Sequence, residues 1–165
     1  MCRFNVAKYQ SFYSKYDWVA LSTIIFYIPS LTAIAFPDSL VSIGKDAFDR
    51  CAALAAVDLS KTKVTTIVQT VFYRCTSLTT LKLSSAMFVS GNSASIGFDA
   101  FYNCVKLREI FILDDAAAIP GGQCSKAAFA RCSESGTIYY SGSALGLVAN
   151  FKNMFLALSN WSVSP

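Results

Sequence analysis

Histidine is absent from this chain of 165 residues. Its absence removes the commonest general base, the Ser/His and Cys/His nucleophile pairs and the two-His metal sites. No CxxC pair occurs, so a zinc site would need an unusual all-thiolate arrangement. No GxGxxG or GxxxxGK stretch is present to cradle phosphates. Charge is sparse as well: charged residues make up 15% of the chain, and the net charge of +4 contains no basic run beyond the separated Lys61 and Lys63. A nucleic-acid surface is therefore not indicated. Asp114 and Asp115 are the only adjacent carboxylates, and a solvated turn explains them better than a calcium contact. The chain reads as non-enzymatic, with no cofactor and no metal.

What the sequence has in excess is apolar residues, 54% of the chain, and they recur in a fixed order. From Ile96 to Ile112 the chain reads IGFDAFYNCVKLREIFI, a unit written IxxxAFxxCxxLxxIxI. An earlier copy is Ile43, Ala47, Phe48, Cys51, Leu54, Val57 and Leu59. A second is Ile67, Val71, Phe72, Cys75, Leu78, Leu81 and Leu83. Ile96, Ala100, Phe101, Cys104, Leu107, Ile110 and Ile112 form the third. A degraded fourth holds Cys124, Ala128, Phe129, Cys132, Ser135, Ile138 and Tyr140, and Leu31, Ile34 and Phe36 repeat the last three slots ahead of them all. Self-similarity at this period marks a leucine-rich solenoid.

Within each unit two periods alternate. The closing LxxIxI predicts a short strand with one face buried. The opening slots, at plus four, five and eight, predict a short helical or 3₁₀ turn against the same core. One coil cannot bury its apolar side alone, so coils stack and their strands form a parallel ladder. The expected fold is a right-handed, β-rich α/β leucine-rich repeat solenoid. Residues in the same slot of successive coils become neighbours.

The stretch SLTAIAFPDSLVSIGKDAFDRCAALAAVDL, Ser30 to Leu59, resembles the BspA-like leucine-rich repeat family, whose coils read LxxIxIPxSVxxIGxxAFxxCxxL. The resemblance covers roughly residues 31–140. It implies a surface or secreted repeat protein of a bacterium or of a parasitic or commensal protist, non-enzymatic, adhering to host or extracellular-matrix proteins. An intracellular protein-interaction scaffold, cytoplasmic, is the alternative. Departures from the pattern are the loop from Ala86 to Ser95, the segment Asp114 to Gln123, and Ser135 in a Leu slot.

Three regions are expected. Residues 1–30 form an N-terminal cap or degenerate coil, with Ser11 to Leu21 faintly echoing the unit. The uncharged run Trp18 to Phe36 also admits a secretory signal or membrane anchor, against which stand Pro29, Asp17 and the coil slots at Leu31, Ile34 and Phe36. Residues 31–140 form the array. Residues 141–165 form a C-terminal cap, with Phe151, Met154, Phe155, Leu158 and Trp161 at helical spacing. The molecule is expected to be a monomer or a fragment of a longer array. Cys51, Cys75, Cys104 and Cys132 share one slot and should form a buried ladder of small apolar fillers.

The stacking rule also locates a candidate binding surface. Between the last two core slots of each strand lie Ala35, Asp58, Lys82, Phe111 and Tyr139, which should line a concave face in that order, with Arg108 and Glu109 at the strand entry. Neighbouring exposed aromatics beside Arg match the composition of protein-binding hot spots. Cover by the C-terminal cap is the competing account of the two rings. A second row, Arg50, Arg74, Asn103 and Arg131, precedes the cysteines, and solvated charge explains it more simply than an anion site.

Overall fold

A computed structural model of the chain describes residues 28–88, 96–113, 124–140 and 158–164, together with the backbone of Ala20–Leu21. Strand β1 (Ala20–Leu21) pairs in parallel with β2 (Ser42–Ile43). Strands β3 (Ala56–Asp58), β4 (Thr80–Ser84), β5 (Glu109–Leu113), β6 (Thr137–Tyr140) and β7 (Ser162–Ser164) form one parallel sheet in chain order. Sequential order in a parallel sheet requires each connection to run around and return beside its own start, which the repeat supplies. The register is slot on slot: Val57, Leu81, Ile110, Ile138 and Val163 lie opposite one another across the sheet.

All seven slots of the first three repeats are buried, none more than 2% exposed. Leu31 is buried too, and Ile28, Ile34 and Phe36 pack against the core. The Phe slot makes a continuous stack. Phe48, Phe72, Phe101 and Phe129 have ring centroids 5.1, 5.2 and 5.0 Å apart and are nearly parallel, and Phe36 meets Phe48 edge-on at 5.7 Å. Rung spacing in a parallel sheet is about 4.8 Å, so identical rings in identical rotamers have little choice but to stack offset.

The opening half of each repeat differs from the helical or 3₁₀ turn that its spacing suggests. Backbone N–H groups alternate between two destinations. Ala47, Asp49 and Cys51 donate three residues back, to Gly44, Asp46 and Phe48, while Phe48 and Arg50 donate forward, to Val71 and Tyr73 of the next repeat. Phe72 and Arg74 donate likewise to Ala100 and Tyr102, and Phe101 and Asn103 to Ala128 and Ala130. A helix would keep every amide within its own segment. Here half of them are needed to join the repeats, so the chain is a run of tight turns. The geometry places Asp46, Thr70 and Asp99, then Arg50, Arg74, Asn103 and Arg131, at φ between 53° and 61°. Each such residue bears roughly 1–2 kcal/mol of left-handed strain, offset by the hydrogen bonds the bend permits.

Ile67, Ile96 and Cys124 extend this second ladder by isolated parallel bridges. Gly97 is required there, because a Cβ would sit 2.9 Å from the backbone of Val68 and Gln69.

Steps between equivalent strand residues vary, from 24 residues between Ala56 and Thr80 to 29 between Thr80 and Glu109. The extra length is not all loop. Ser85–Phe88 is a 3₁₀ helix that buries Met87 and Phe88, where shorter repeats bury Leu40 or Val64. Residues 89–95 of the loop that ends at Ser95, residues 114–123, and Phe151, Met154 and Phe155 lie outside the described residues. At the other end Trp161 is 3% exposed and its indole N–H donates to the Ser133 carbonyl at 3.0 Å. The ring lies against Gly136, where a Cβ would meet it at 2.8 Å.

Two substitutions test this packing. Phe101→Ala, which interrupts the middle of the ring stack, should lower unfolding free energy in urea by about 3–5 kcal/mol. Gly136→Ala should leave the stack intact but shift Trp161 emission toward the red as the indole is displaced. Unchanged emission would show that the ring is held elsewhere.

Candidate functional site

Four of the five residues between the core slots meet as neighbours on the strand face, while Ala35 lies outside the strands, since the sheet begins at β3. Asp58 lies opposite Lys82, Lys82 opposite Phe111, Phe111 opposite Tyr139, and Tyr139 opposite Ser164. One rung along the strand, Ala56, Thr80, Glu109, Thr137 and Ser162 form a parallel row. Alternation puts both rows on the same side, away from the core slots between them.

Phe111 and Tyr139 are half-buried and stacked, their centroids 4.7 Å apart and their planes 13° off parallel. Each ring covers part of its neighbour and leaves the remainder facing outward. Beside them, Lys82 Nζ approaches Asp58 Oδ2 at 3.6 Å, a surface ion pair of small energetic consequence. Burial would raise the Asp58 carboxyl, but hydrogen bonds from the Ser60 hydroxyl and amide, together with Lys82, hold it below its ordinary value. Asp58 is therefore a fixed anion at neutral pH.

Glu109 and Arg108 differ in their roles. Thr80 Oγ1 donates to Glu109 Oε2 at 3.1 Å, which holds that carboxylate against the sheet. Arg108 is exposed, and its guanidinium reaches the Ser135 carbonyl and hydroxyl, both at 3.5 Å. The surface is thus an aromatic pair with an ion pair on one side, an anchored carboxylate and an extended arginine at the strand entry, and the hydroxyls of Thr137 and Ser162, 2.9 Å apart, beyond. Such a face offers shape, charge and ring surface for recognition.

The cysteines do more than fill space. Cys51, Cys75 and Cys104 are fully buried and Cys132 is half-buried, all as free thiols. Cys75 Sγ donates to the Phe48 carbonyl at 3.3 Å, Cys104 to Phe72 at 3.3 Å and Cys132 to Phe101 at 3.2 Å. Each thiol therefore bonds back to the preceding repeat, a weak polar link inside an apolar slot. Burial pushes the Cys51, Cys75 and Cys104 thiols above their ordinary value of 9.0, and carries Cys124 to about 12. A thiol held protonated is a poor nucleophile and a poor metal ligand. No group of metal-holding residues occurs among the described residues, and no helix among them is long and apolar enough to cross a membrane.

Two surface features escaped the spacing analysis. Tyr73 and Tyr102, each just before the Arg slot, stack at 5.0 Å, with Arg74 over the Tyr73 ring and Arg131 over Tyr102. The Asp46, Thr70, Asp99 row is the other, with Thr70 Oγ1 donating to Asp46 across one rung. Both recur at a fixed offset: the tyrosines stand one residue before the Arg row, and Asp46, Thr70 and Asp99 three residues after each Ile slot.

A protein-family model described as a BspA type leucine rich repeat region matches residues 4–136 in six copies. The match begins ahead of Leu31, the first residue that the spacing alone places in the array. No curated protein and no solved structure matches the chain.

The thiol ladder gives a pH prediction. Folded Cys51, Cys75 and Cys104 should resist iodoacetamide at pH 8 and react once the chain is unfolded. Because the raised thiols stay protonated in the folded state, stability should be level below about pH 9 and fall as pH rises beyond it, where only the unfolded chain ionises. A urea midpoint unchanged between pH 8 and pH 10.5 would contradict this.

Proposed function

Since the chain belongs to the BspA type leucine-rich repeat family, we propose that it is a non-enzymatic protein-binding and adhesion module of the cell surface, recognising a host or extracellular-matrix protein through its strand face. The reading rests above all on the stacked, half-exposed Phe111 and Tyr139. Side chains of this kind, rigid and partly apolar, supply most of the energy at protein interfaces. Flanking them, Asp58, Lys82, Arg108 and Glu109 give the charged rim that fixes orientation and partner. A right-handed solenoid would curve this face into a concave surface.

The backbone supports the same view. Lys82, Glu109, Phe111 and Tyr139 lie on strands paired on both sides, so little conformational freedom is lost when a partner docks. Affinity then depends on a few side chains rather than on loop ordering.

Surface plasmon resonance of the purified chain over immobilised fibronectin, laminin, collagen and fibrinogen tests the proposal. The wild type should bind at least one of them. The Phe111→Ala, Tyr139→Ala double variant should lose at least tenfold in affinity, about 1.4 kcal/mol, while unfolding free energy falls by only about 1 kcal/mol. Equal binding by both proteins would remove the aromatic pair from the site. A stability loss above about 3 kcal/mol would place the rings in the core instead.

A further inference from the structure

The turn ladder carries a second surface with its own chemistry. Its residues share no slot with the strand face. Arg50, Arg74, Asn103 and Arg131 all adopt left-handed backbone, at φ 55°, 58°, 61° and 59°. Glycine takes that conformation without strain, and arginine does not. Arginine nevertheless fills the slot in three of four repeats, so the backbone does not explain its presence. An exposed location does not explain its order either, because the guanidiniums are not adrift. Arg74 Cζ lies 5.2 Å from the centroid of the Tyr73 ring, Arg131 Cζ lies 5.6 Å from that of Tyr102, and the two rings stack at 5.0 Å and 7°. Among the described residues neither Arg74 nor Arg131 has an ion pair, whereas Arg50 lies 3.9 Å from Asp49. Burial raises the Asp49 carboxyl, while Arg50 and, more weakly, Arg74 lower it, so Asp49 neutralises the Arg50 rung in part and reaches Arg74 only at longer range.

The open part of the row is therefore arginine, amide, arginine, on Arg74, Asn103 and Arg131, with a tyrosine pair alongside. From Arg74 to Arg131 is two rungs, about 10 Å, which is roughly the length of a disaccharide. We propose that this flank docks a linear anionic polysaccharide, sulfated or carboxylated, laid along the repeats.

Three features favour that ligand. Guanidinium presents paired N–H donors matched to carboxylate and sulfate oxygens. Tyrosine faces and edges suit the C–H surfaces of sugar rings, and here they also hold the guanidiniums in place before binding. The backbone N–H groups at this flank are already committed, those of Arg74 and Asn103 to Tyr102 and Ala130 at 2.8 and 2.9 Å. An extended peptide therefore finds no strand edge to pair with. A stiff polymer read by side chains alone meets no such obstacle.

The test is isothermal titration with a heparin octasaccharide, its desulfated counterpart and an octaglutamate peptide. The Arg74→Asn, Arg131→Asn double variant is the appropriate change, since Asn103 already occupies the same slot and conformation. The wild type should bind the sulfated octasaccharide with an affinity that weakens as salt rises, and the variant should lose at least tenfold while keeping its melting temperature. Lys82→Ala with Arg108→Ala, on the strand face, should leave glycan binding unchanged, which separates this proposal from the protein-binding one. Absence of binding by the wild type would overturn it. So would equal losses in the two double variants, which would indicate net charge only, or tighter binding of octaglutamate, which would indicate an acidic protein partner.

Discussion

The backbone hydrogen bonds that carry Phe48 to Val71, Phe72 to Ala100 and Phe101 to Ala128 hold this molecule to its pattern. They fix one repeat against the next slot for slot, on the side away from the sheet, while strands β3 to β7 do the same on the other. A chain tied at both sides has no freedom to shift register. Any residue type placed in one slot then meets its own kind one rung away, and the consequences differ by chemistry. Phenylalanines stack, cysteines donate to the preceding carbonyl, and tyrosines pair. Lys82 and Asp58, unlike neighbours on adjacent rungs, form an ion pair.

That coupling makes the surfaces as regular as the core. On the strand face it produces two stacked aromatics with charged residues beside them. On the turn flank it produces a row of arginines held over tyrosines at a cost in backbone strain. Both surfaces are rigid for the same reason. A repeat protein of this kind can therefore vary its exposed slots freely, since the fold depends on the buried ones.

The apolar half of this arrangement was legible in the sequence. All seven slots of the first three copies are buried as their spacing predicts, and the stacking rule sets Phe111 beside Tyr139, as the register does. The local backbone was less legible. A spacing of four, five and eight suits a helix, and nothing in the residue types of Ile96 to Cys104 says that alternate amides will leave for the next repeat. That choice is made by the neighbouring chain, not by local propensity. Met87 and Phe88 were missed because the seven-slot unit does not include the buried position that Leu40 and Val64 fill, and so their stretch looked like an insertion. The Tyr73 and Tyr102 stack was less legible because their slot holds Asp49 and Ala130 in the flanking repeats, so no shared residue type marks it.

The central claim is that the turn flank is a second inter-repeat ladder rather than a string of surface turns. Native-state amide hydrogen exchange, followed residue by residue by NMR, tests it most directly. The amides of Arg50 and Arg74 belong to residues with exposed side chains and would exchange quickly in an ordinary surface turn. Bonded across to Tyr73 and Tyr102, they should instead be protected nearly as strongly as the strand amides of β4 and β5. Rapid exchange at these positions, with protection confined to the strands, would contradict the account.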